Sequence, residues 1–428
     1  MMKKLIFNLL FCPLLLSAQV NGVEFMQNLN WHEILKKAQI DNKYVFVDCY
    51  AAWCVPCRWM DENVYSNDSI GRYMNERFIC VKIAMDSANR DHEDVRSWYA
   101  ALHSMNKDLS IDEYPSYLFY SPEGKLVHRG VGALHREDFI SLTEAALDNR
   151  KQYYTLLFKY EHGKLDAGDM PYLADAARKL HVDSVAFAVA ANYIHNYLEG
   201  LPMTTIWSRE NLRALENFRV VVHSSDLIFR RYFHDRVKID SIVGSRGHAD
   251  ALINYVLYKE EIDPFVSSGI KDGNEPDWRK LQKAIRRKYG NAYVGGNVLK
   301  GRVEYYRGRK KWERYAKFLV KRVQVSDIQS WPFGRISAII LNNNAYDVFK
   351  YSNDKKELEI ALSWVERADT INPRPDADRL DTKANLLYKL GRKAEALALE
   401  EKSHSLSPED MGIKVTLDRM KQGMPTWQ

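Results

Sequence analysis

The stretch Val45–Met60 reads V-F-V-D-C-Y-A-A-W-C-V-P-C-R-W-M. Its first half is an apolar run of strand length. Its second half suits the first turns of a helix, with Cys54 and Cys57 at the junction. If a helix begins near Cys54, the two cysteines lie one turn apart on the same face. Their Cα atoms then fall within the ~4.4–6.8 Å window that a disulfide requires. Unpaired N–H groups and the macrodipole at a helix start favour negative charge, so a Cys54 thiolate is stabilised there and is nucleophilic near neutral pH. Pro56 fits this first turn, because the N–H it lacks has no helical partner there. The spacing points to thiol–disulfide exchange. The alternative, half of a zinc site, needs further ligands, and the sequence has no second C-x-x-C and no His pair at ligand spacing. No metal and no separate cofactor is therefore expected, the redox group being the Cys54–Cys57 pair itself.

The segment D-C-Y-A-A-W-C-V-P-C-R resembles the active-site segment of thioredoxin, D-x-x-x-x-W-C-x-P-C-K, with Arg58 in place of the usual lysine. The residues that follow, through F-I-C-V-K-I, are closer to the secreted thioredoxin-like and disulfide-reductase domains than to cytosolic thioredoxin. The resemblance covers roughly Trp31–Asp148. It implies a mixed central sheet flanked by helices, with Cys54 as nucleophile, Cys57 as resolving thiol and Trp53 beside the substrate. Asp48 stands where the family carries a buried acid. Burial is costly for a carboxylate, so Asp48 is expected to have a raised pKa. Its functional reading is proton acceptor for Cys57 through water; its structural reading is a cap or a satisfied core polar group.

Working outward, Trp31–Ala38 is amphipathic at helical spacing and Lys43–Tyr50 lacks alternation, as a strand covered on both faces does. Phe78–Ile83 is a further strand, and a helix is expected near Asp94–Ser104. In Glu113-Tyr114-Pro115-Ser116-Tyr117-Leu118-Phe119-Tyr120, Pro115 directly precedes a strand-like run. It reads either as a turn proline or as a cis-proline, the only common cis peptide. The resemblance favours the second, facing the cysteines, with the backbone of Tyr114 available to an extended substrate. Ser121-Pro122-Glu123-Gly124 is a hairpin turn. Gly132, in G-V-G-A-L, resembles the family's loop beside the active site, where a residue without a side chain admits a substrate backbone. Glu137–Asp148 closes the domain as a helix with Phe139, Leu142 and Ala145 inward.

At the front of the chain, Lys3-Lys4, the apolar run Leu5–Leu16 and Ser-Ala-Gln make a signal-peptide pattern over residues 1–19, too short to span a bilayer. A periplasmic or secreted location follows as an expectation. A lipoprotein anchored at Cys12 is disfavoured by bulky Phe11 before it. No later segment is apolar enough for an integral membrane span. Cys49 and Cys80, inside apolar runs, read as buried, inert thiols.

The chain has 428 residues, 46% of them hydrophobic and 28% charged, so more than one domain is expected: a thioredoxin-like domain over 20–149 and an α-helical domain over 150–428. Ala361–Pro373 and Ala396–Pro408 align with a shift of 35, and Tyr388-Lys389-Leu390-Gly391-Arg392 resembles a tetratricopeptide repeat, placing repeats of that kind at least in 345–410. Asp263–Pro276, rich in Gly, Ser, Asp and Pro, reads as an internal loop or boundary. Lys280–Arg322 is basic with interleaved aromatics, which is either a surface for an acidic partner or solvated helix faces over an aromatic core; the second is preferred. A net charge of +6 is small for this length and argues against nucleic acid as a partner.

Together these readings predict an α/β thioredoxin fold followed by all-α helical repeats, and a protein-disulfide oxidoreductase. Its partners would be disulfide-bearing protein substrates, an electron-donor protein and a protein bound by the repeats. The direction of exchange depends on the reduction potential, with reduction or isomerisation preferred. The rival is a non-enzymatic scaffold whose repeats bind a partner while the thioredoxin fold is only a structural module.

Overall fold

The computed structural model describes residues 22–86, 111–325 and 334–427. The signal-peptide pattern, Cys12 and the helix expected near Asp94–Ser104 lie outside the described residues. The chain divides into two compact units, Met1–Val221 and Val222–Gln428.

In the first unit the elements run α1 (Trp31–Asp41), β1 (Tyr44–Tyr50), α2 (Val55–Met60), α3 (Asp68–Arg77), β2 (Phe78–Ala84), β3 (Ser116–Tyr120), β4 (Leu126–Val131) and α4 (Arg136–Leu147). A capping box starts α1: the Asn30 side chain accepts from Glu33 N–H, and the Glu33 carboxylate accepts from Asn30 N–H. The strand order is β2-β1-β3-β4, with β1 parallel to β2 and antiparallel to β3, and β3 antiparallel to β4. The sheet is mixed, as expected, and β1 is interior to it.

Because side chains alternate along a strand, β1 feeds two cores. Val45, Val47 and Cys49 face Trp31, Ile34 and Ala38 of α1, together with Ile79, Val81, Ile83, Leu118 and Tyr120. Phe46 faces the other way, into an aromatic core with Tyr65, Tyr117, Phe119 and Phe139, closed by Met60 of α2 and Met74 of α3. Asp48 stands two residues after Phe46 and so shares its face, the one that α2 covers. Continuous burial of both faces explains why β1 shows no polar alternation in sequence.

Helices follow: α5 (Tyr153–Glu161), α6 (Met170–Lys179), α7 (Asp183–Asn192) and α8 (Arg209–Asn217). The start of α5 is tied to the edge strand β4 by Tyr153 N–H donating to His128 Nδ1 at 2.9 Å. His128 is buried, which lowers its pKa to about 4 and keeps it a neutral acceptor.

In the second unit come α9 (Leu227–His234), α10 (Arg236–Val243), α11 (His248–Leu257), α12 (Asp263–Asp272), α13 (Trp278–Tyr289), α14 (Val294–Gly308), α15 (Trp312–Val325), α16 (Gly334–Tyr351), α17 (Lys355–Ile371), α18 (Ala377–Lys389), α19 (Lys393–Leu406) and α20 (Met411–Lys421). The loop expected over Asp263–Pro276 is a correction: most of it is α12. Pro264 falls in the first turn, where proline is tolerated, and Gly269 is packed so closely on Pro276 that a Cβ there would lie 2.6 Å from its Cγ. Only the stretch after Asp272 is a loop. In the basic region Tyr305, Tyr306 and Tyr315 are buried, while Trp312 is partly exposed and stacks on Tyr351. Ala361, Ala368, Ala396 and Ser403 are all fully buried, so the shift of 35 marks the small residues where paired helices meet. Among the described residues no helix is long and apolar enough to cross a membrane.

Candidate functional site

The site begins where β1 ends. The backbone turns at Ala51, whose carbonyl accepts from Cys54 N–H at 3.0 Å. Asp86 holds the same turn by accepting Ala52 N–H at 2.7 Å, and the Arg58 guanidinium donates to Ala52 O. Cys54 is the N-cap of α2, and its Sγ accepts from Cys57 N–H at 3.1 Å. A helix N-terminus thus aims a donor at this sulfur, the arrangement that stabilises a thiolate. Cys54 and Cys57 form a disulfide, with Cα atoms 5.3 Å apart. Both are almost fully buried in a small cluster with Ala51, against which Tyr50 and Tyr114 pack. Trp53 beside them is 68% exposed and Val55 64%. Such exposure of large apolar side chains around a buried reactive bond is what a docking rim requires.

Asp48 lies beneath. Parallel pairing of β1 and β2 places it opposite Lys82, whose Nζ is 3.7 Å from Asp48 Oδ2. Lys82 also ion-pairs with Asp61 and sits over the ring of Tyr50. Burial pushes the Asp48 pKa up to about 7, against the lowering pull of Lys82, while the Asp61 charge adds to the rise. Asp48 Oδ1 has no hydrogen-bond partner. A carboxyl poised near neutrality can take up a proton and return it at physiological pH.

The third side comes from the segment before β3. The Tyr114–Pro115 peptide is cis. Tyr114 packs on the cysteine cluster and meets the Trp53 ring edge-on at 5.9 Å. Antiparallel pairing sets Ser116 opposite Cys49, which carries Pro115 to the active-site end of β1. Pro115 O accepts Gly132 N–H at 2.9 Å. Gly132 has φ +82°, and a Cβ there would meet nothing within 4 Å, so open space borders it. The structure therefore brings Cys54, Cys57, Trp53 and Tyr114 together, with Pro115 following Tyr114 and bonded to Gly132, and Asp48 on the α2 face of β1.

Two charged residues of this site were not singled out in the sequence, Lys82 and Asp61. Each left a signal. Lys82 is a charge inside the apolar run F-I-C-V-K-I-A, which calls for an anion within reach. Asp61 stands four residues after Cys57, on the same helical face. Cys49 and Cys80 are buried, and burial pushes both thiols well above the usual range, so neither is a nucleophile. Among the described residues no cluster of His, Cys, Asp and Glu could hold a metal ion.

Residues 25–122 match a family model described as thioredoxin-like. Over 72 residues the chain is 36% identical to spermatogenesis-associated protein 20 of Mus musculus, a match that takes in 17% of this chain and 9% of that protein. The chain thus spans less than a tenth of the length of the curated relative it matches. Among solved structures, a DsbH oxidoreductase is similar over 31% of this chain and 92% of its own, at 19% identity and a TM-score of 0.25. A candidate disulphide-isomerase from Bacteroides thetaiotaomicron is similar over 31% of this chain and 98% of its own, at 26% identity and a TM-score of 0.25.

Proposed function

Residues 25–122 are a thioredoxin-like domain, and from that premise we propose that the protein is a thiol–disulfide oxidoreductase that reduces, or isomerises, disulfides of envelope or secreted proteins. The observation that carries the reading is the Cys54–Cys57 disulfide at the N-terminus of α2, which follows a strand whose buried Asp48 carboxyl has its pKa raised to about 7.

The reductive cycle starts from the dithiol. Cys54 thiolate attacks one sulfur of a substrate disulfide; the substrate S–S bond breaks, a Cys54–substrate disulfide forms, and the departing substrate thiolate takes a proton. Cys57 then gives its proton to Asp48, through a water where needed, and its thiolate attacks Cys54 Sγ. The Cys54–Cys57 bond closes and the second substrate thiolate leaves, protonated in turn. Two electrons have passed to the substrate, and the structure holds the oxidised product state. A dithiol donor protein must restore the pair. Exposed Trp53, with Tyr114 and Gly132, supplies the surface on which a substrate segment docks. The envelope or secreted setting rests on the charged-then-apolar pattern of residues 1–19.

Insulin reduction with a dithiol donor tests the reading. Wild type should be active, and Cys54→Ser should fall to background. Equal rates would leave only the scaffold reading, in which the helical repeats alone act. A reduction potential near the strongly oxidising end, about −120 mV, would reverse the direction of the cycle.

A further inference from the structure

Within the first unit, the helices after the sheet reach the rim of the cysteine site through the corner between α6 and α7. That corner carries His181, whose Nε2 lies 3.8 Å from Glu113 Oε2. Glu113 immediately precedes Tyr114 and the cis-proline. Its carbonyl accepts from the Ser116 hydroxyl at 2.7 Å, which fixes its backbone against the start of β3. Tyr114 in turn packs on the cysteine cluster and on the Trp53 ring. The His181–Glu113 pair therefore stands next to the surface assigned above to substrate docking. His181 lies outside residues 25–122, the part that matches the thioredoxin-like family model, so this contact is an addition made by the helices.

The corner is built to present the side chain. Arg178 O accepts His181 N–H at 3.1 Å, and Ala177 O accepts Val182 N–H at 2.9 Å, which closes α6 with His181 at φ +57°. At a helix end that left-handed position is usually glycine's. Histidine there accepts backbone strain and sets an imidazole at the tip of the turn. The imidazole is 69% exposed and the Glu113 side chain 48%, so a docked segment meets both. The cations of the same corner are already engaged: Arg178 and Lys179 are held by Asp175, at 2.7 and 3.0 Å. Glu113 is not engaged in that way. Its imidazole partner stands beyond hydrogen-bond distance, and among the described residues its carboxylate accepts no hydrogen bond. An ionised carboxylate has about four acceptor sites, so a cation on a substrate can be added beside the imidazole.

On the oxidoreductase reading, from which this follows, we propose that the α6–α7 corner is one wall of the substrate-docking surface, where Glu113, screened by His181, selects segments with a Lys or Arg beside the attacked half-cystine. His181 acts through Glu113 and takes no part in the bond exchange, so its role is to set specificity.

The test uses full-length protein carrying Cys57→Ala, reduced, and three pools of dodecapeptides whose single cysteine is bonded to thionitrobenzoate. The pools differ in the residues on either side of that cysteine, fixed as Lys, Gln or Glu. Cys54 thiolate attacks the peptide sulfur; the peptide–thionitrobenzoate bond breaks, the Cys54–peptide bond forms, and thionitrobenzoate leaves with the electron pair and is read by its absorbance. Each rate is divided by that of the same pool with dithiothreitol, which removes the peptide's intrinsic reactivity. The corrected Lys:Glu ratio should be about threefold or more, the size expected of an exposed ion pair. It should rise about twofold or more in His181→Gly, a residue suited to that backbone, and further in His181→Glu. It should fall toward one in His181→Lys and in Glu113→Gln. A change in Cys54 itself moves all pools alike and cancels in the ratio. A ratio near one in the parent protein, or a ratio that the His181 substitutions leave unmoved, overturns the proposal. Release from no pool would sink the oxidoreductase reading first, and this inference with it.

Discussion

Each compact unit buries a carboxyl group, and the two are treated in opposite ways. Asp48 in β1 has a lysine 3.7 Å away and settles near neutrality, at about 7. Glu400 in α19 has for its titrating neighbour another acid, Asp381. Burial first, then the Asp381 charge, push its pKa up to about 9. A buried acid beside a cation can exchange its proton within the working pH range, whereas one beside a second acid keeps it and acts as a neutral filler of the repeat. The same residue class, equally hidden, is poised for the proposed proton relay in one unit and placed as a packing element in the other. The difference lies in what stands on the neighbouring element.

The largest expected effect separates the two units by activity. Cys54→Ser should lower insulin reduction by roughly a thousandfold or more, while Glu400→Gln should leave it within twofold. A large loss in the second variant would break the division of labour drawn here.

Next comes the pH dependence of stability. Both acids have folded-state pKa values above their unfolded values, so each binds a proton more tightly when folded, and each costs stability as pH rises through its window. For Asp48 the loss runs from about pH 4 to about 7 and then levels off; for Glu400 it continues to about 9. Hydrogen exchange should therefore show β1 amides losing protection up to about pH 7, and α19 amides continuing to lose it to about pH 9. Asp48→Asn should stabilise the first unit above pH 7 by roughly 2–4 kcal/mol, with the relay lost. Identical profiles in the two regions would erase the contrast.

A smaller effect sharpens it. Lys82→Met takes away the cation and makes Asp48 resemble Glu400. The pH midpoint for resolution of a Cys54 mixed disulfide by Cys57 should move up from about 7 by about one unit or more. An unmoved midpoint would show that Lys82 does not set the relay. The smallest effect concerns His128, whose pKa falls to about 4 on burial. Its neutral form is favoured by folding, so protection at the β4–α5 junction should hold above about pH 6.5 and decline as pH falls toward 4. His128→Gln should flatten that decline.

Much of the site was legible because its spacing is local. Cys54, Pro56 and Cys57 declare a helix start, and Asp48 declares itself as a charge in a buried strand. Lys82 and Asp61 were not assembled with them, because Asp48 meets Lys82 only through the parallel register of β1 and β2. Pairing between distant strands leaves no spacing rule in the sequence. In the helical unit, Ala361 and Ala396 were readable because close helix contact demands small residues at a fixed interval. Asp263–Pro276 misled because glycine and proline mark breaks on average, yet here Pro264 sits where a helix tolerates it and Gly269 is required by contact with Pro276. A cavity lined by Asn342, Asp381 and Asp410 left no sign in the sequence, since these residues converge only after three helices pack.

The most direct measurement of the central claim is a trap. In Cys57→Ala the resolving thiol is gone, so a Cys54–substrate disulfide should persist. Incubated with disulfide-bearing proteins and run without reductant, this variant should show adducts that dithiothreitol dissolves, and the Cys54→Ser, Cys57→Ala double variant should show none. Adducts equally abundant in both variants, or absent from both, would contradict an attacking sulfur at Cys54.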